Sequence, residues 1–121
     1  MATAGQHDIT IEQGATWRLQ LTWQDSLGNP IDLTHYTARM QVREAYVSSG
    51  TWLSLTSAEG GGITLGGTSG TIIITATATQ TAAIPVRGNV QGVWDLELVQ
   101  NNEPVVRLIA GAAFISPEVT R

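Results

Sequence analysis

Hydrophobic and polar residues alternate with a period of two along most of the chain. In Thr16-Trp-Arg-Leu-Gln-Leu-Thr-Trp23, Trp17, Leu19, Leu21 and Trp23 share one face, and Thr16, Arg18, Gln20 and Thr22 share the other. Successive side chains of an extended chain point to opposite sides, so this pattern predicts a half-buried strand. Tyr36–Arg43 repeats it with Tyr36, Ala38, Met40 and Val42 inward. Gly92–Val99 does so with Trp94, Leu96 and Leu98 inward. Pro104–Ala110 reads as the return strand after a tight hairpin turn at Gln100-Asn-Asn-Glu103, continued by Ala112–Ile115 with a bulge at Gly111. Trp52–Leu55 and Ile63–Leu65 are shorter strands, and Thr71–Ala76 is β-branched almost throughout. Asp25–Pro30, Glu59–Gly62 and Gly66–Gly70 supply turns.

Alternation fails at Ala78–Ala83, where Thr79 is the expected N-cap and Pro85 the stop of one short helical turn crossing between sheets. Trp17, Leu19, Leu21, Met40, Val42, Ile72, Ile74, Trp94, Leu96, Leu98, Val106 and Leu108 form the predicted core. The pattern amounts to seven or eight short strands, with turns every ~8–12 residues and no helical period. It predicts an all-β fold, an immunoglobulin-like antiparallel β-sandwich, with a small closed barrel as the alternative. Residues 8–121 make one domain, and the small polar stretch 1–7 reads as a flexible arm.

Composition narrows the function. Hydrophobic residues make up 42% of the 121, enough for a core, but charged residues only 13%, about half the usual share. All six basic residues are arginine and the net charge is −4, which leaves no electrostatic footprint for nucleic acid. No apolar run reaches the ~18 residues that span a bilayer, and the first residues lack the basic and apolar regions of a secretory signal. With no cysteine there is no disulfide, thiol nucleophile or thiolate metal site.

Reactive constellations are weak. His7 and His35 lie far apart without ligand spacing. Asp95 and Glu97 share a strand face; with Asp8 and Glu12 they could hold calcium, but an i, i+2 acidic pair is more often a solvated face. The glycine-rich stretches lack the Lys-Ser/Thr ending of a phosphate loop. No catalytic, cofactor or metal residue is therefore expected. Trp17, Trp23 and Trp94 fall on core faces rather than on a sugar-stacking platform. Trp52 points away from Leu53 and Leu55, and Ile73 away from Ile72 and Ile74, so each is expected at a sheet edge or in an interface. Thr, Gln, Ser and Asn occupy outward positions where Lys and Glu are usual, a pattern that fits a surface docked against neighbours and equally a threonine-rich β surface in solvent.

The segment Asp8-Ile-Thr-Ile-Glu-Gln-Gly-Ala-Thr-Trp-Arg-Leu-Gln-Leu-Thr-Trp-Gln-Asp25 is a short strand, Gln-Gly, then a strand ending in Trp-x-Asp. Gly28-Asn-Pro-Ile-Asp-Leu-Thr34, Tyr36–Arg43, Gly92–Leu98 and Ile115–Arg121 follow. This arrangement resembles the small β-sandwich structural proteins of tailed bacteriophages, and is similar to the N-terminal domain of upper baseplate proteins that attach receptor-binding fibres. The resemblance implies a virion protein assembled in the host cytoplasm, in multiple copies in a symmetric assembly. Its expected place is the tail or baseplate, as an adaptor for fibres or spikes, with tail, baseplate, fibre or capsid subunits as partners. Nucleic acid and membrane are not expected partners, and neither an enzyme nor a cofactor is implied. Capsid decoration is the alternative, and a carbohydrate-binding module a third reading. The expected contact elements are residues 1–7, the loop Tyr46–Thr51 beside Trp52, and Ser116–Arg121, with Trp52, Ile73 and Arg121 as anchors.

Overall fold

The structure, a computed structural model, describes residues 5–101 and 103–119. Among the described residues nine strands form two sheets. The larger comprises β1 (Gly5–Gln6), β2 (Ile9–Glu12), β9 (Val106–Ser116), β8 (Val90–Gln100), β4 (Tyr36–Arg43) and β5 (Leu53–Thr56). Its order is β1-β9-β8-β4-β5, with β2 also on β9. The smaller runs β3 (Trp17–Thr22), β7 (Thr71–Ala76), β6 (Ile63–Leu65). The chain crosses between the sheets after β2, β3, β5 and β7, the order of an immunoglobulin-like sandwich, with β5 extending the sheet built on β4, β8 and β9. The strands are antiparallel except at the first segment, where β1 and β2 lie parallel to β9.

Period-two patterning accounts for the core. Met40, Val42, Ile72, Ile74, Trp94, Leu96 and Leu98 are buried as expected, joined by Ile9, Ile11, Leu33, Leu55 and Ile115. Trp17, Leu19, Leu21, Val106 and Leu108 pack on that core but stay half-buried, which corrects the expectation for these five. For the first three the reason is position: β3 is the outer strand of its sheet, so one flank of its apolar row has no neighbour. Trp23 and Tyr36 make an edge-to-face ring contact, with centroids 5.6 Å apart, between the end of β3 and the start of β4.

The helical turn is α1 (Ala78–Ala82), which joins the smaller sheet to the larger. Its N-cap is Thr77, not Thr79. The Thr77 hydroxyl accepts from Gln80 N at 3.1 Å, and the Gln80 side chain accepts from Thr77 N at 2.8 Å. This reciprocal box satisfies main-chain donors that the helix itself cannot. Thr81 is fully buried and donates to Ala15 O at 2.8 Å, while Gly14 N donates to its hydroxyl at 3.0 Å. The Gln13 amide donates to Ile84 O and Val86 O. One corner thereby fastens α1 to the β2–β3 connection.

The N-terminal segment differs most from expectation. Gly5–His7 is not a free arm: β1 pairs with Ile109 and Ala110, and His7 N donates to Ala110 O at 3.0 Å. The buried Trp94 indole donates from Nε1 to His7 O at 2.8 Å. Asp8 Oδ1 accepts from Ala112 N at 2.9 Å. Residues 1–4 lie outside the described residues. Gly111 lies under this segment rather than at a bulge; the register shift in β8–β9 falls between Leu96 and Glu97. Glu103 N donates to Gln100 O at 3.1 Å, closing the β8–β9 hairpin.

Candidate interaction surfaces

Among the described residues no group of three histidine, aspartate or glutamate side chains stands close enough to hold a metal ion. Asp95 and Glu97 do share the outer face of β8, but each faces an arginine on a neighbouring strand. Arg39 Nε lies 2.7 Å from Glu97 Oε1, and Arg107 Nε 3.4 Å from Asp95 Oδ2. Asp8, considered with them as a calcium ligand, instead accepts a main-chain hydrogen bond from β9. His35 is exposed beside the Asp32–Thr34 turn, where the Asp32 carboxylate accepts from the Thr34 amide and hydroxyl.

Desolvation on the crowded sheet face, reinforced by the charge of Glu97, pushes the Asp95 carboxyl above its usual value against the pull of Arg107 and Arg39. An acid whose folded pKa is raised binds its proton more tightly in the native state, so its contribution to stability falls as pH rises from the unfolded value of 3.8 through the folded one. Asp95→Asn is therefore expected to match or exceed the parent in stability near neutral pH. The difference should move in the parent's favour as pH falls through the raised folded value towards 3.8 and level off below it, read as denaturation midpoints across pH. A variant that is less stable at neutral pH and recovers in acid would show that the pair with Arg107 dominates.

The larger sheet's outer face thus carries an ion-paired row flanked by a loop. Arg43 Nη1 donates to Ser48 O at 2.7 Å and Nη2 to Gln41 Oε1 at 2.9 Å. Ala45 N donates to the Ser48 hydroxyl at 3.1 Å. These bonds hold the base of the β4–β5 loop while its tip presents Tyr46, 71% exposed, and Val47, 95% exposed. An open depression of about 1070 Å³ lies where the start of β4 meets the β5–β6 connection. Hydroxyls of Thr34, Ser57, Thr64, Thr75 and Thr77 line it, with Glu59 as its one ionisable carboxylate and no basic side chain. It offers hydrogen bonds but no nucleophile–base pair.

The smaller sheet's outer face presents Arg18, Gln20 and Thr22 from β3, Thr71, Ile73 and Thr75 from β7, and Thr64 from β6. Arg18 is its single charged side chain. Ile73 lies at the centre of this face, between Gln20 and Thr64 on the middle strand, so the sheet-edge alternative does not hold.

Trp52 belongs to the core margin. It is half-buried, packs against the core, and its ring lies over Gly92, where a Cβ would come within 2.5 Å of Cζ3. This packing fixes where the ring sits, and its exposed part borders the Tyr46–Thr51 loop named with it as a contact element. Two strand-interior glycines, Gly92 and Gly111, mark the close approaches of Trp52 and of the N-terminal segment, and a glycine inside a strand is the signal that could have found both. Arg121 lies outside the described residues. Before it, Ser116 pairs with Glu12, and Val119 is 90% exposed.

No family model matches this chain, and no curated protein matches it. Several solved structures are similar, among them two of extracellular domains. One is the extracellular domain of the voltage-gated sodium channel beta4 subunit, described as a parallel homodimer. It shares 9% identity over 98% of both chains, with a TM-score of 0.41. The other, extracellular domains 3–5 of Drosophila OTK, shares 13% identity over 93% of this chain and 33% of that one, with a TM-score of 0.32.

Proposed function

We propose that this chain is a structural protein of a tailed-bacteriophage virion, a tail or baseplate adaptor that docks fibres or spikes through protein contacts. The observation that carries this reading is the outer face of the smaller sheet, where threonine, glutamine and isoleucine surround the lone charge of Arg18. A solvated surface normally carries about 25–35% charged residues. A face of hydroxyls and amides around a half-buried isoleucine can be covered at little desolvation cost, because few charges must be stripped of water. The Tyr46–Val47 tip adds a second apolar contact on a fastened loop. Resemblance of the segments from Asp8 to Arg121 to phage β-sandwich proteins supplies the setting. Immunogold labelling of purified particles with an antibody to this chain tests it. Label at the tail or its tip is the expected result; label spread over the capsid supports decoration instead, and unlabelled particles overturn both.

A further inference from the structure

We propose that β3 is a self-association edge, by which two copies of this chain pair strand to strand about a two-fold axis at Gln20. Trp23 N donates to Gly70 O at 2.8 Å, which puts 23 opposite 70 at a hydrogen-bonded position of the ladder, with Trp23 O turned to accept from Ile31 N at 2.9 Å. The antiparallel register carries the same type to 21/72, 19/74 and 17/76. The main-chain groups of Arg18, Gln20 and Thr22 therefore face the open edge. On the other side of β7 the bonds Thr75 N to Gly62 O and Gly66 N to Thr71 O turn residues 71, 73 and 75 toward β6, as the alternation requires. No described strand lies beyond β3.

The strand is self-complementary. Trp17-x-Leu19-Gln20-Leu21-x-Trp23 reads the same in both directions. In an antiparallel pair centred on Gln20, Gln20 meets the second copy's Gln20, Arg18 meets Thr22, Leu19 meets Leu21, and Trp17 meets Trp23. The pairs whose main-chain groups face the edge, 20 with 20 and 18 with 22, are the ones that exchange bonds in this register. Moving the axis to Arg18 would oppose two guanidinium groups, whereas the axis at Gln20 sets each against a threonine. The half-buried apolar row of β3 then gains cover from its own copy. Edge strands that must stay single usually carry lysine, proline, a bulge or an inward charge; β3 has none of these.

Contact area sets the strength. Six residues make an edge ~20 Å long, and a flank of similar depth covers roughly 400 Å² per copy. That is about half of the ~800 Å² per partner of a stable interface. The pair is therefore mostly dissociated at micromolar concentration and forms at millimolar concentration, or where copies are held close together.

Thr64, Ile73 and Gln20 lie in one row across the sheet, so the pair would separate the two Thr64 positions by five strand spacings, ~24 Å. The chain has no native cysteine, and Thr64 is exposed. Thr64→Cys carrying a nitroxide, measured by double electron–electron resonance at millimolar protein, should give a narrow distance near that value after allowance for the label arms. Gln20→Lys, which puts two ammonium groups at the axis on an exposed position, should abolish it while circular dichroism stays unchanged. Absence of the distance in the parent overturns the proposal, including the case in which β3 instead receives a strand of another protein. So does a distance that survives Gln20→Lys. The measurement uses the isolated protein, so its failure leaves the virion reading standing.

Discussion

Replacing Gly111 by alanine is expected to destabilise the fold by about 2–6 kcal/mol and to detach the first strands. Gly111 stands opposite Trp94 in the β8–β9 ladder, directly beneath the N-terminal segment. A Cβ there would lie 2.2 Å from His7 O and 2.7 Å from His7 C, and these main-chain atoms cannot rotate away. The segment must move, at ~1–3 kcal/mol for overpacking. With it go the bonds from Trp94 Nε1 to His7 O and from Ala112 N to Asp8 Oδ1. Trp94 is buried, so its indole donor would be stranded, which costs another ~1–3 kcal/mol. Urea unfolding gives the total, and amide exchange at Ile9 and Ile11 shows whether the strands have come away. A variant as stable as the parent, with those amides still protected, would mean that the segment is not seated on Gly111. Deleting residues 1–7 removes the same acceptor, so the deletion should lower stability rather than spare it, contrary to what a flexible arm implies.

Leu96→Ala should cost about 2–5 kcal/mol through lost transfer energy and the cavity left behind. Leu96 is fully buried in the central strand β8, opposite Met40 on β4 and Ile109 on β9. No disulfide ties the two sheets together, because the chain has no cysteine, and side-chain packing must hold them. The change should lower the denaturant midpoint without altering its slope. A loss under ~1 kcal/mol would place the inward face of β8 on the wrong side.

The sheets were legible because side-chain burial writes itself into a period of two. β4, β7 and β8 carry uninterrupted alternation or β-branching, and their inward faces are the core. What alternation cannot express is how far each inward face is covered. Trp17, Leu19 and Leu21 show as clean a pattern as Leu96 and Leu98, yet they stay half-buried because β3 ends its sheet. Neighbour order, not periodicity, decides that. The N-terminal segment was misread for a related reason. Gly5–Gln6 pairs through its main chain with a strand about a hundred residues away, and a main-chain contact leaves no side-chain period. The α1 cap lies two residues before the expected Thr79, since both Thr77 and Thr79 can cap; Gln80, three residues after Thr77, completes the box and selects it. Of the expected contact elements, the Tyr46 loop is presented to solvent, Trp52 is drawn into the core margin, and Ile73 centres the low-charge face.

The central proposal is a place for this chain in the tail or baseplate, and the count of copies in a particle tests it most directly. Quantitative mass spectrometry of washed, purified virions, scaled to the major capsid protein, reads that count. A few to a few tens of copies per particle are expected, the stoichiometry of a tail or baseplate ring. Absence from washed particles, or hundreds of copies matching the capsid lattice, would contradict it.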